Sequence, residues 1–91
     1  MKYLVYILLC DEKTFYIGST DNIERRLAEH QAKKSFYTKQ FSRLGLVYQE
    51  AHNSRRKAEN REKQIKGWSV AKKRALIVGD MTKLKVLSKG H

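Results

Sequence analysis

The chain has 91 residues, with 20 Lys and Arg against nine Asp and Glu, and a formal net charge of +11. This length suits one small domain, and 41% hydrophobic residues can fill its core, which excludes disorder throughout. The longest apolar run, Leu4 to Cys10, is far shorter than the roughly 20 residues that cross a bilayer. No signal peptide is recognisable and the single cysteine excludes an internal disulfide, so we expect a cytoplasmic protein without a membrane segment.

The positive charge is concentrated in the second half of the chain. Residues 1–52 carry eight Lys and Arg against six Asp and Glu, whereas residues 53–91 carry twelve against three. A polyanion such as nucleic acid is one partner that this charge favours. A solvated helical face that only keeps a small protein soluble has the same composition. Charge alone therefore leaves both interpretations open.

The apolar pattern predicts three strands. Residues 3–10 (YLVYILLC) form an apolar run rich in β-formers, which predicts a strand buried on both faces. After a polar turn at 11–13, residues 14–18 (TFYIG) predict the second strand of a hairpin. Residues 46–51 (LVYQEA) predict the third strand, and the basic, aromatic segment 33–45 before it predicts a loop.

Three helices are predicted, the first ending near residue 32, the second over about 55–67 and the third over about 70–78. Side chains that accept hydrogen bonds from helical amides precede each of them. The candidate caps are Ser19, Thr20 or Asp21 for the first helix, with Glu24 in a capping box, Asn53 or Ser54 for the second and Ser69 for the third.

The resulting order, β-β-α-β-α-α, predicts an α+β fold in which helices flank a three-stranded antiparallel sheet. We expect a single domain over residues 1–80. Residues 81–91 are expected to form a loosely held basic tail, with room for a helical turn at 81–87.

Three charged or titratable side chains fall on the apolar sides of the predicted helices. Arg26 and His30 share or border the apolar stripe of the first helix, and Glu62 lies between Ala58 and Ile65 in the second. Such groups are costly to bury unless they are paired or line a cleft. A partly buried Arg26–Glu62 ion pair without function would account for this pattern, and so would an active site.

Two tyrosine motifs give the chain a resemblance to a known family. The sequence LVY at 4–6, followed about ten residues later by YIG at 16–18, resembles the paired signature of the GIY-YIG endonuclease domain. The resemblance covers about residues 3–78. It is greatest to a small, single-domain bacterial branch that is related to the N-terminal cleavage domain of excision-repair nucleases. Leu4 stands where the family has its name-giving glycine, and Ser19 where the repair branch often has lysine.

The resemblance extends into the helices. Arg26, eight residues after Gly18, matches the helix arginine of the family, and His30 follows one turn later, as in some branches. Glu62 lies in a segment (AENREKQIKGW) that is similar to the one carrying the family's metal-binding glutamate. The fold of the family, a three-stranded antiparallel sheet flanked by helices, agrees with the predicted order of elements.

The resemblance implies a metal-dependent endonuclease that hydrolyses phosphodiester bonds in DNA, in repair or recombination. Glu62 would be the single carboxylate ligand of one Mg²⁺ or Mn²⁺, ions that also accept waters and substrate oxygens. Arg26 would contact phosphate oxygens. Tyr6 is the first candidate for the general base and Tyr16 for orienting water or phosphate, with the two roles exchangeable, and His30 would relay the proton.

Residues around this site are expected to hold the nucleic acid. Gly18 would permit close approach of the backbone or accommodate a tight strand exit. Phe36, Tyr37 and Phe41 would either stack on unpaired bases or pack on the sheet. The cations expected to contact phosphates are Lys33, Lys34, Lys39, Arg43, Arg55, Lys66, Lys72 and Lys73.

Two other functions are compatible with the sequence. One is a DNA- or RNA-binding module that keeps the fold and cleaves weakly or not at all. The other is a structural or interaction protein whose basic surface serves solubility. In the leading hypothesis DNA is the partner, and targeting would fall to a separate protein because no recognition domain is attached.

Overall fold

The computed structural model describes residues 2–89, with side chains over residues 2–87. Within that range the elements are β1 (Tyr3–Cys10), β2 (Thr14–Thr20), α1 (Ile23–Gln31), β3 (Leu44–His52), α2 (Arg55–Lys66), α3 (Val70–Val78) and α4 (Met81–Lys89). A 3₁₀ turn at Thr38–Gln40 lies in the predicted loop. The predicted α+β fold is confirmed, with one helix more than expected. Among residues 2–89 no helix has the length and apolar character needed to cross a bilayer.

The sheet is antiparallel with the strand order β2-β1-β3, so that β1 lies in the centre. Side chains of β1 alternate between the two faces: Val5 and Ile7 pack on one side, and Tyr6, Leu8 and Cys10 on the other. All five are buried, which confirms the predicted strand with two covered faces.

Helices cover both faces of this sheet. The face of Val5 and Ile7 packs against α2, α3 and α4 through Ala58, Ile65, Ala75, Leu76 and Leu84. The face of Tyr6 is covered by α1 and the segment before β3, through Ile23, Leu27, Phe41 and Leu44. The first and second helices of the chain therefore lie in opposite layers.

The helix caps agree with prediction for α2 and α3, where Ser54 and Ser69 accept hydrogen bonds from amides of the first turn. The predicted cap of α1 is wrong. Strand β2 continues to Thr20, two residues beyond the predicted end, so the extended backbone of Asn22 precedes the helix. Its side chain accepts a hydrogen bond from the amide of Arg25.

The turn between β1 and β2 anchors the beginning of β3. Asp11 and Glu12 have positive φ values of 50° and 60°. This conformation directs Asp11 Oδ1 toward the amides of Ser42 and Arg43, which donate to it at 2.9 and 2.7 Å. The segment 32–43 is thereby attached to the hairpin.

The C-terminal segment is helical over Met81–Lys89, so the helical turn for which the sequence left room at 81–87 is present and longer than expected. The expectation of a loosely held tail is wrong for these residues. Gly79 ends α3 with a left-handed φ of 75°, which lets the chain turn back. Leu84 of α4 is then buried in the core beside α3. Packing thus continues past residue 80, and residues 90 and 91 lie outside the described part of the chain.

Candidate active site

Four of the five predicted catalytic side chains meet on the face that α1 covers. The hydroxyl of Tyr6 lies 3.0 Å from Nε2 of His30 and accepts a hydrogen bond from Nε of Arg26 at 3.3 Å. The ring of Tyr16 has its centroid 6.2 Å from that of Tyr6 and 5.2 Å from that of His30. Residues from two strands and one helix therefore form one cluster.

Gly18 makes room for Tyr6, its cross-strand neighbour. A β-carbon at Gly18 would stand 2.5 Å from Oη and 2.7 Å from Cζ of Tyr6, closer than real non-bonded atoms approach. Only glycine at this position leaves space for the phenol of Tyr6 beside the backbone of β2. Gly18 is itself buried, and β2 continues past it to Thr20, while its contact with nucleic acid stays a prediction. Its contribution is to seat Tyr6.

Burial determines the protonation of Tyr6 and His30, both of which are wholly buried. Burial raises the pKa of the Tyr6 phenol to about 12, against the opposing effect of Arg26. Burial, followed by the nearby charge of Arg26, lowers the pKa of His30. Both groups are consequently neutral at pH 7, and their hydrogen bond joins a phenol to a neutral imidazole.

Thr38, which the sequence pattern did not single out, completes a buried chain of hydrogen bonds. Its Oγ1 lies 2.6 Å from Nδ1 of His30, and its side chain is fully buried. The imidazole is therefore held at both nitrogens, by Thr38 and by Tyr6. The one available signal was chemical, since a buried histidine needs a partner for each ring nitrogen.

Arg26 stays charged in this setting. Burial by itself would lower the pKa of Arg26, but contacts with the hydroxyls of Tyr6 and Tyr16 and with Glu29 raise it above its ordinary value. Glu29 lies 3.2 Å from Nη1 and is the salt-bridge partner of Arg26, in place of the Arg26–Glu62 pair considered from the sequence. A permanent cation thus lies beside both tyrosines.

Glu62 approaches β2 from the opposite layer. Ser19 Oγ donates to Glu62 Oε1 at 2.6 Å, and Nζ of Lys66 lies 2.6 Å from Oε2. Because β2 is an edge strand, the carboxylate lies across the strand edge from the tyrosine cluster. The two sides are still in electrostatic contact: burial is the main cause of the raised pKa of Tyr6, and the charge of Glu62 adds to it.

The oxygen atoms at Glu62 fit a hard divalent cation. No cluster of three or more His, Cys, Asp or Glu side chains occurs in the described residues, so an ion at Glu62 would depend on ligands from water and substrate. The hydroxyl of Ser19 is adjacent. Mg²⁺ and Mn²⁺ suit such a site because waters and phosphate oxygens complete their coordination. The side chain of Lys66 is 52% exposed, against 19% for Glu62, so its ammonium is free to leave the carboxylate.

Two grooves reach the site along β2. The groove at the Thr20 end has a volume of about 310 Å³. It is lined by arginines, hydroxyls and carboxylates, among them Arg25, Arg26, Arg55, Ser19, Thr20, Asp21 and Glu29. The groove at the Phe15 end has a volume of about 360 Å³ and is lined by Phe15, Tyr16, Ile17, Tyr37, Lys66 and Lys73.

The structure divides the cations predicted to contact phosphates. Arg55 lines the first groove, and Lys66 and Lys73 line the second. Four others are exposed on the segment before β3 and line neither groove: Lys33, Lys34, Lys39 and Arg43. Three of these are engaged: Lys33 with the carbonyl of Phe41, Arg43 with Glu12 and Lys39 with the ring of Phe36.

Lys72 is not one of the free cations. It is only 8% exposed, and its ammonium lies 4.2 Å from the centroid of the Trp68 ring. Trp68 itself packs against the core. The expectation that Lys72 is available to a phosphate near the site is therefore wrong, because its stem and charge are buried against an indole.

The loop aromatics divide between packing and exposure. Phe41 packs on the buried cluster of Tyr6. Tyr37 stacks on Tyr16, with ring centroids 5.6 Å apart and an interplanar angle of 26°. Phe36 is 86% exposed. Phe41 therefore packs on the sheet, as one of the two expectations had it. The exposed ring faces of Phe36 and Tyr37 are available to a ligand.

A second polar cluster, absent from the sequence predictions, fastens β3 to α2. Glu50 accepts hydrogen bonds from Tyr48 at 2.6 Å and from Nε of Arg61 at 3.0 Å, and lies 2.5 Å from Nε2 of His52. Burial favours a raised pKa for Glu50, but the three partners outweigh it and lower the pKa. Arg61 also lies over the ring of Trp68.

The model of the GIY-YIG catalytic domain matches residues 2–75, which is most of the chain. The chain therefore belongs to the GIY-YIG family, and the predicted resemblance is confirmed.

Named relatives agree with this assignment. The UPF0213 protein of Natronomonas pharaonis is 40% identical over 79 residues, which cover 86% of this chain and 93% of that protein. The UPF0213 protein of Syntrophus aciditrophicus is 46% identical over 78 residues, covering 84% and 90% of the two chains. The solution structure of a UPF0213 protein from Bacillus halodurans is similar with a TM-score of 0.56 at 33% identity, over 86% of this chain and 84% of that one.

Proposed function

We propose that the chain is a divalent-metal-dependent endonuclease that hydrolyses phosphodiester bonds in DNA, in repair or recombination. The observation that carries this proposal is the arrangement around β2, with Tyr16 and Arg26 on one side of the edge strand and Glu62 on the other. Membership of the GIY-YIG family supports nucleic acid as the substrate. The net charge of +11 supports binding of a polyanion.

Arg26 would bind the phosphate that is cleaved. Its guanidinium is charged, partly exposed and part of the groove that also contains Ser19 and Arg55. A planar guanidinium can donate two parallel hydrogen bonds to phosphate oxygens, which a lysine cannot do. The phosphate would then lie next to both the Tyr16 hydroxyl and the strand edge that Glu62 contacts.

Tyr16 is the tyrosine that we assign to the substrate. Tyr6 is wholly buried and its hydroxyl is engaged by Arg26 and His30, so its assignment as first candidate for the general base is not favoured. Tyr16 is partly exposed. It would orient or deprotonate the attacking water while Arg26 stabilises the negative charge that develops. Tyr6 and His30 would hold Arg26 and Tyr16 in position.

Glu62 would hold one Mg²⁺ or Mn²⁺, with the Ser19 hydroxyl at its side. When bound, such an ion stabilises negative charge on the phosphate and on the leaving oxygen. Lys66 neutralises Glu62 in this structure. Its exposed ammonium would turn to a neighbouring phosphate when the substrate and the ion bind.

Metal-dependent cleavage tests the proposal. The purified chain would be incubated with branched, flapped, single-stranded and duplex DNA in Mg²⁺, Mn²⁺ or EDTA. We expect nicking only with a metal, and a loss of at least about 100-fold in Glu62→Gln, since the carboxylate holds the ion. Glu24→Gln is the matched control, because it removes an exposed carboxylate from α1 and should cleave like the wild type. Equal cleavage by Glu62→Gln and the wild type would contradict the assignment.

A second candidate is a DNA- or RNA-binding module without cleavage, and one observation favours it. Both carboxylate oxygens of Glu62 already have partners, Ser19 and Lys66. In that case every DNA would remain intact in either metal. Affinity would still fall steeply with added salt, because neutralised phosphates release their counterions.

A further inference from the structure

The groove at the Phe15 end of β2 has the composition of a pocket for a nucleobase. Three of its six lining residues are aromatic, and Tyr37, whose ring stacks on Tyr16, is 45% exposed. Aromatic faces of this kind stack on unpaired bases. Lys66 and Lys73 supply positive charge at the same groove, which suits the phosphates on either side of such a base.

Three consecutive residues of β2, namely Phe15, Tyr16 and Ile17, line this groove. Among residues 2–89, β2 pairs with β1 alone, so its other side is a free sheet edge. Along an antiparallel edge, alternate residues direct N–H and C=O groups outward. These groups can form hydrogen bonds with the edge of a base. In a duplex that base edge is paired and both base faces are stacked, so a paired nucleotide cannot enter.

The groove adjoins the site on both sides of the strand edge. Tyr16 belongs to the groove and to the cluster of Tyr6 and His30. Lys66 belongs to the groove and contacts Glu62. A nucleotide held here would be directly connected to a phosphate at the strand edge.

We propose that this groove binds one unpaired nucleotide next to the phosphate that is cleaved, so that the substrate is a single strand or a locally unpaired segment of DNA. The inference rests on the proposed function for the position of the cleaved phosphate. The stacking surface itself depends only on the groove. Tyr37 is then a determinant of specificity, and its aromatic face is the part that matters.

Binding measurements on Tyr37 variants test this inference. The affinity of each protein for a short single-stranded DNA and for the duplex of the same sequence would be measured at one salt concentration. We expect Tyr37→Ala to weaken single-strand binding about tenfold and duplex binding less than about twofold. Tyr37→Phe keeps the stacking face and should bind both like the wild type. Val78→Ala, which removes exposed apolar surface outside the groove, is the control for a general loss of apolar surface.

Fluorescence gives a second readout, because 2-aminopurine loses emission when it stacks on an aromatic ring. The probe in a single strand should be quenched by wild type and Tyr37→Phe, and less by Tyr37→Ala. If Tyr37→Ala lost affinity equally for single strand and duplex, or lost none for either, the proposed nucleotide pocket would be contradicted.

The two proposals fail in different ways. If no DNA is cleaved in any metal while Tyr37→Ala loses single-strand affinity selectively, the pocket is supported and the nuclease is overturned. If cleavage requires Glu62 but proceeds equally on single strands and duplex and is unchanged in Tyr37→Ala, the nuclease is supported and the pocket is overturned.

Discussion

The polar cluster at β2 and the one between β3 and α2 contain the same side-chain types, namely tyrosine, histidine, arginine and glutamate. At β3, Glu50 lies within hydrogen-bond distance of Tyr48, His52 and Arg61, and all four are at most partly exposed. At β2, the tyrosines and arginine are separated by the strand edge from Glu62, whose second oxygen faces an exposed lysine. The first arrangement is closed and fastens two elements together, whereas the second leaves room for a ligand.

The comparison teaches that residue types do not distinguish a site from a structural network. What differs is whether the carboxylate has exchangeable partners. Three partly buried partners fix Glu50, so that a cation would have to displace all of them. Glu62 has two partners, the hydroxyl of Ser19 and the half-exposed ammonium of Lys66. Variants in matched pairs, one from each cluster or strand, can break or sharpen this contrast.

The largest effect is expected when Tyr16 of the β2 cluster is compared with Tyr48 of the β3 cluster. Tyr16→Phe should reduce metal-dependent cleavage by at least about 100-fold, since the hydroxyl would act on the attacking water. Tyr48→Phe should leave cleavage unchanged and lower the free energy of unfolding by about 1 kcal/mol, because its hydroxyl donates to Glu50. Cleavage rates and urea unfolding of both variants provide the check. Normal cleavage by Tyr16→Phe would remove the contrast between the clusters.

The glycine pair should show the next largest effect. Gly18→Ala places a β-carbon against the Tyr6 phenol and should lower the free energy of unfolding by about 2–3 kcal/mol. At Gly45 in β3, a β-carbon has no described neighbour within 4 Å, so Gly45→Ala should change it by less than about 0.5 kcal/mol. Urea unfolding measures both. Similar values for the two variants would show that Tyr6 is not seated by the missing side chain.

Acid should lower the free energy of unfolding in two steps, one for each cluster. Because burial lowers the pKa of His30 below its ordinary 6.5, the unfolded chain takes up that proton first, and stability present above pH 6.5 is lost below it. The lowered pKa of Glu50 has the same consequence below its ordinary 4.5, since protonation there also favours the unfolded chain. Each group contributes at most about 1.4 kcal/mol per pH unit.

Unfolding free energies measured between pH 8 and pH 3 check these steps, because this interval begins about 1.5 units above the ordinary pKa of histidine and ends about 1.5 units below that of glutamate. His30→Gln should lack the step that begins near 6.5, and Glu50→Gln the step that begins near 4.5. Wild-type slopes in both variants would mean that other groups carry the dependence on pH.

The smallest effect concerns Lys66. Lys66→Met removes the ammonium that competes for Glu62, so half-maximal cleavage should need about threefold less Mg²⁺, as befits a half-exposed ion pair. Lys63→Met is the matched control, since it removes one exposed lysine from the same helix. If both variants shift the Mg²⁺ requirement equally, the effect comes from net charge and not from the contact with Glu62.

Local patterns were sufficient to predict most of the fold. The apolar run of β1, the hairpin and the serine caps of α2 and α3 depend on neighbouring residues, and the structure contains them. The helix α4 was expected only as a possible turn at 81–87, because its short apolar pattern becomes significant only when Leu84 packs in the core. The cap of α1 was misplaced because pairing with β1 extends β2 through Thr20.

The candidate site was predictable as a set of residues but not as an arrangement. Periodicity and the tyrosine motifs selected Arg26, His30 and Glu62. They could not indicate that Glu62 belongs to the opposite layer, because the side of the sheet that a helix covers depends on tertiary packing. The burial of Tyr6 and the position of Thr38 likewise arise from long-range contacts.

The attachment of Asp11 to the start of β3 has a consequence for the order of folding. Its two hydrogen bonds join residues 31 and 32 positions apart, whereas the β1–β2 hairpin closes over a few residues. Hairpins form within about 10 μs, and contacts of larger sequence separation close later. During refolding the hairpin therefore precedes the docking of segment 32–43. The groove wall formed by Tyr37 and the contact between Thr38 and His30 are then expected to form only after the hairpin is in place.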